Sequence, residues 1–155
     1  MIELLKALYD CGAISFEDAE ALGIPTSDIQ ELVTREQVIS KVVDGKELFK
    51  LNDFGEKIYR METGKKQFFR CENWEKMKSL ADFYAKLSKE ERDSWKSKDE
   101  WYYEGCVGAI PDATYQKGEE ICGVFVQSNF TTRETINSVE KFVQDRGISN
   151  FAYLR

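Results

Sequence analysis

Histidine is absent from all 155 residues. That absence removes Ser-His-Asp and Cys-His nucleophile activation, histidine metal sites and histidine general-base chemistry, so any catalysis would rest on carboxylates, lysine or tyrosine. Cysteine is sparse and scattered: Cys11, Cys71, Cys106 and Cys122 form no CxxC pair, which excludes a zinc ribbon and a dithiol redox motif and leaves them as reduced, core-filling residues. No apolar run approaches the roughly 18 residues of a membrane-spanning helix. The start, "MIELLKALYDCG", has neither a basic segment nor a small-residue cleavage site. A cytoplasmic chain without a membrane partner is expected.

An excess of positive charge is also missing. The net charge is −6, with 10 Lys+Arg against 13 Asp+Glu in residues 1–70 and 12 against 15 in residues 71–155, so neither half is a basic nucleic-acid glove. No GxGxxG occurs, and the "GKK" at 64–66 lacks the glycine-rich loop and the Ser/Thr of a phosphate-binding loop. The expectation is therefore no cofactor and no resident metal. There is no internal repeat and no low-complexity linker. What the chain does have is 42% hydrophobic and 13% aromatic residues, enough for one ordinary core or two small ones.

The first half predicts three short helices. Ile2, Leu5, Leu8 and Tyr9 share a face that stops at Gly12. Ser15 and Asp18 are spaced as a capping box, and Gly23 ends the second segment. A helix over 26–37 follows, with Ile29, Leu32 and Val33 inward. Residues 38–43 and 47–51 then read as strands around Asp44-Gly45, a strong hairpin signal, and Asn52 or Asp53 caps a fourth helix. This order resembles the winged helix domains of many bacterial regulators and replication proteins. The resemblance implies that the 26–37 helix enters a major groove. Its only cation is Arg35, against Asp28, Glu31 and Glu36, so the better phosphate ligands lie around it: Lys41, Lys46 and Lys50 on the hairpin, then Arg60, Lys65, Lys66 and Arg70. Charge runs also solvate ordinary surfaces, and winged helices also dock proteins.

In the second half, Trp74, Met77, Leu80, Ala81, Tyr84 and Leu87 predict an amphipathic helix, and Ser88 with Glu91 forms another capping box. Three strands are expected, at "EWYYEG", "CVGAIPDATYQ" and "EEICGVFVQS". A helix beginning after Thr131 and running to Gly147 and a last strand, "NFAYLR", complete the order. This order resembles the αβββαβ core of the PD-(D/E)xK restriction-endonuclease-like superfamily. A winged helix (1–66) followed by such a core (67–155) resembles the replication-relaxation group of plasmid and mobile-element proteins, or a small uncharacterised relative from Gram-positive bacteria.

That resemblance puts the metal-binding aspartate at Asp112 and asks for an acid and a lysine two residues apart on the third strand. Gln127 and Asn129 stand there instead. One carboxylate without those partners is a poor magnesium site, and Asp112 also reads as a turn or cap residue after proline. The expectation is an α+β, catalytically inactive protein that binds double-stranded DNA in the replication, transfer or regulation of a bacterial mobile element. A protein-interaction adaptor or homodimerisation module without DNA binding is the alternative, with a protein of a replication or transfer complex as its partner, and an active nuclease ranks third. The aromatic content and the open edge of the last strand point to a homodimer.

Overall fold

The computed structural model describes residues 1–65, 72–106, 109–128, 131–148 and 150–154. Among them it has eight helices and seven strands in two sheets, a mixed α+β architecture. The chain forms two compact units, Met1–Lys86 and Leu87–Arg155. None of its described helices is long and apolar enough to cross a membrane.

The first unit runs α1 (Ile2–Cys11), β1 (Ile14–Ser15), α2 (Phe16–Ala21), α3 (Thr26–Thr34), β2 (Val38–Val43), β3 (Lys46–Leu51), α4 (Asp53–Thr63) and α5 (Trp74–Tyr84). Local chemistry sets most boundaries. Gly12, at φ 87°, closes α1 in a conformation that a side chain would resist. Ser15 and Asp18 form a reciprocal capping box at α2. Pro25 pre-sets the entry to α3, which ends at Thr34 rather than at 37 because Glu36 takes a positive φ of 55°. Asp44 (φ 49°) and Gly45 (φ 76°) are both left-handed, the type I′ geometry that matches the twist of a two-residue hairpin. The three strands pair antiparallel in the order β1-β3-β2. Asn52 caps α4 by accepting the Gly55 N–H at 2.8 Å.

Sequence patterning divides the chain at 66/67, whereas the compact units divide at 86/87. The cause is α5, which packs against α1, β1 and β2. Its Tyr84 hydroxyl donates to the buried Asp10 carboxylate at 2.7 Å, and Lys6 reaches the same carboxylate at 2.6 Å. Leu4, Leu8, Ile14, Leu48, Met77 and Leu80 are fully buried in this unit.

The second unit runs α6 (Lys89–Asp93), β4 (Lys96–Ser97), α7 (Lys98–Tyr103), β5 (Ala113–Lys117), β6 (Glu120–Val126), α8 (Arg133–Asp145) and β7 (Asn150–Leu154). Its sheet order is β4-β5-β6-β7, with β6 and β7 parallel and the other pairs antiparallel. The expected strand at "EWYYEG" is instead helix α7. Its aromatic residues favour a strand, but Glu100 accepts the Ser97 N–H at 2.8 Å and nucleates a helix there. The expected strand around Pro111-Asp112 begins only at Ala113. At the start of α8 the cap is Thr132, which accepts the Thr135 N–H. Ile110, Phe142 and Ile148 form one core cluster, with Trp101 edge-on to Phe142. Phe151 lies over Gly123, where a Cβ would come within 2.5 Å of the ring.

Candidate nucleic-acid interface

Helix α3 buries Ile29 and Leu32 and turns Ser27, Gln30, Glu31, Val33 and Thr34 outward. This face is less anionic than its sequence. Asp28 takes the Met1 ammonium and Glu31 pairs with Arg35 one turn on, so two of the three nearby carboxylates are matched by cations. What remains outward is a largely polar, near-neutral strip. Ser27, Gln30 and Thr34 were not candidates from sequence, although their spacing along one helical face is the signal that marks them.

Among the described residues, the lysines and arginines expected to hold phosphates have separate surroundings. Arg35 is exposed but paired with Glu31. Lys41 is exposed on β2. Lys46 turns away from solvent: its side chain is 21% exposed, and Nζ lies 2.7 Å from Asp82 of α5 and 3.2 Å from Asp18 of α2. Lys78 joins the cluster, 2.9 Å from Asp82. Burial works against charge on Lys46, yet its hydrogen bond to Asp82 and the charge of Asp18 outweigh it and raise its pKa. Burial likewise opposes the Asp82 carboxylate, but hydrogen bonds from Lys46 and Lys78 leave its pKa lowered. Lys46 thus fastens the hairpin to α2 and α5.

Lys50 is half-buried and shares a surface depression with Asp53, Glu56 and Glu72. Arg60 lies 3.9 Å from Glu56, and the Lys65 ammonium sits 4.8 Å from the centre of the Tyr9 ring. Lys66 and Arg70 lie outside the described residues.

In the second unit, Asp112 is 2% exposed and immediately precedes β5. Its Oδ2 accepts the Val126 N–H at 2.7 Å, and its carbonyl accepts the Lys98 N–H at 3.0 Å. The side chain thereby ties the start of β5 to the end of β6. Gln127 is half-buried and its N–H donates to the Leu154 carbonyl at 2.7 Å, extending the β6-β7 ladder; Asn129 lies outside the described residues. Among the described residues no three His, Cys, Asp or Glu side chains come together as a metal-binding group. Cys11 and Cys122 are buried and Cys106 is half-buried, while Cys71 falls outside the described residues. Burial, reinforced by Asp10 and Asp18, pushes the Cys11 thiol well above its ordinary pKa. Compared with known proteins, the chain matches no protein family, no curated protein and no solved structure.

Proposed function

We propose that the chain is a non-catalytic winged-helix protein that binds double-stranded DNA through α3 and the β2–β3 hairpin. The observation that supports this reading is the order α1-β1-α2-α3-β2-β3-α4, with a β1-β3-β2 sheet and a tight hairpin directly after an outward-facing polar helix. Gln pairs with adenine edges and Ser or Thr with several bases, so Ser27, Gln30 and Thr34 suit the floor of a major groove. Lys41 supplies a phosphate contact beside them. With few cations available, affinity is modest and its salt dependence shallow.

Fluorescence anisotropy with labelled duplexes tests this. Lys41→Gln is expected to weaken binding on every sequence and to reduce the salt slope by about 1. Binding that ignores salt, or that is unchanged in this variant, overturns the assignment.

The absence of nuclease chemistry belongs to the same proposal. It is supported by the use of the Asp112 carboxylate as an acceptor for Val126 and by the neutral Gln127. Supercoiled DNA is expected to stay intact with magnesium or manganese; cleavage abolished by Asp112→Asn contradicts it. The resemblance to replication-relaxation proteins suggests work beside the replication or transfer machinery of a bacterial mobile element, which neighbouring relaxase or recombinase genes would support. One observation favours protein docking instead: Val33 on α3 and Ile39 and Val42 on β2 are exposed apolar residues.

A further inference from the structure

Helix α4 carries large apolar side chains that stand exposed among the described residues of its own unit. Its inward side is set by the buried Gly55 and Tyr59, with Tyr59 against Tyr9 of α1. On the opposite side stand Phe54, 57% exposed, and Met61, 77% exposed, with Lys57 between them. Phe54 and Met61 are seven residues apart, two helical turns and about 10.5 Å along one face. Ile58 flanks the stripe on one side and lines a small cleft with Met1, Leu5 and Glu62, so the apolar surface continues towards the start of α1. Two large apolar side chains aligned on one face of a short helix are the start of a contiguous patch, the feature that marks an interaction surface.

The charges beside the stripe identify that partner. Asp53 and Arg60 lie on the other flank, again seven residues apart and of opposite sign, the acid near the helix N-terminus and the cation near its C-terminus. Two copies of α4 packed antiparallel about a two-fold axis bring like flanks together in reverse order. Phe54 of one copy then meets Met61 of the other at both ends, and Asp53 meets Arg60 at both ends. A two-fold interface requires this self-complementarity, with residue i meeting j and j meeting i. The Lys57 stems fill the middle and carry their ammonium groups to the edge. Arg60 is half-buried and lies 3.9 Å from Glu56, and its buried Nε has no hydrogen-bond partner among the described residues, so its guanidinium is not saturated within its own unit.

We infer that the outward face of α4 is a homodimer interface, built on reciprocal Phe54–Met61 contacts and reciprocal Asp53–Arg60 ion pairs between two antiparallel copies of the helix. This surface is distinct from the β7 edge that the sequence pattern suggests, and it does not depend on DNA binding.

Analytical ultracentrifugation of the full chain across a range of concentrations tests it, with circular dichroism to establish that each variant is folded. Wild type is expected to form a reversible dimer. Phe54→Asp and Met61→Lys change only exposed positions, and each alone is expected to weaken dimerisation by at least about tenfold. Mixed in equal amounts they are expected to recover it, because one end of the mixed pair regains Asp against Lys and the other keeps Met against Phe. A monomeric wild type, a dimer indifferent to both substitutions, or a mixture as weak as the separate variants each overturns the inference. Dimerisation lost instead on truncating Tyr153 would assign the interface to β7 and overturn it as well.

Discussion

Replacing Asp112 with alanine separates a structural carboxylate from a relic of metal chemistry. In the folded unit Oδ2 receives the Val126 N–H at 2.7 Å from a side chain that is 2% exposed. Alanine leaves that N–H without its acceptor in a site closed to water. Removing one partner of a hydrogen bond and leaving a buried donor unsatisfied costs about 1–3 kcal/mol, more where the lost partner is charged, so a loss of about 2–3 kcal/mol is expected. For a unit the size of Leu87–Arg155 each kcal/mol shifts Tm by about 4–8 °C, which makes the expected drop roughly 8–24 °C. Asp112→Asn keeps an oxygen for Val126 and loses only the charge assistance, so it should cost about half as much. Calorimetry on the three proteins gives the ordering, and amide hydrogen exchange at Val126 gives the mechanism. A Tm for Asp112→Ala within about 2 °C of wild type, or an undiminished protection of Val126, would show that the carboxylate does not hold β6 to the start of β5.

Three further outcomes follow from the first unit. Lys46→Met strands Asp18 and Asp82 without their shared cation and should cost about 1–3 kcal/mol in urea unfolding; an unchanged midpoint would show that the cluster holds nothing together. The same cluster sets a pH window: the lowered pKa of Asp82 makes its contribution complete above the unfolded value of about 4 and lost as pH falls through the folded one, while the raised pKa of Lys46 makes its contribution complete below about 10.4 and lost as pH rises through the folded value. Lys46→Met should therefore flatten the pH dependence of stability at both ends, and equal curves would contradict this. Gly55→Ala would set a Cβ 2.3 Å from the Gln37 carbonyl oxygen and 3.0 Å from Leu51, forcing α4 off the sheet at a cost of about 1–3 kcal/mol; thermal unfolding at the wild-type temperature would contradict the close approach.

What the sequence made legible was local. The Ser15–Asp18 and Ser88–Glu91 capping boxes, the stop at Gly12, the Asp44-Gly45 hairpin and the Asn52 cap each act within a few residues, and each stands where its pattern predicts. Strand propensity misled at Trp101-Tyr102-Tyr103, because the Ser97–Glu100 box had already begun a helix. The two-residue strands β1 and β4 exist only through their neighbours and have no pattern of their own. The candidate site was hardest to read because its decisive pairings are long-range. Nothing near Lys46 in the sequence announces Asp82, and nothing near Asp112 announces the Val126 N–H. Charge counting therefore overstated the cationic hairpin, and it overstated the acidity of α3 as well, where Asp28 takes the distant Met1 ammonium and Glu31 pairs with Arg35 one turn on.

Contact of duplex DNA with α3 and the β2–β3 hairpin is what the proposed function rests on. Nuclear magnetic resonance titration of the isotope-labelled full chain with a short duplex in low salt measures this residue by residue. Amide shifts are expected to concentrate at 26–35 and 38–51, strongest around Ser27, Gln30, Thr34 and Lys41, and to diminish as salt is added. Shifts confined to residues 87–155, or spectra unchanged at saturating duplex, would contradict it.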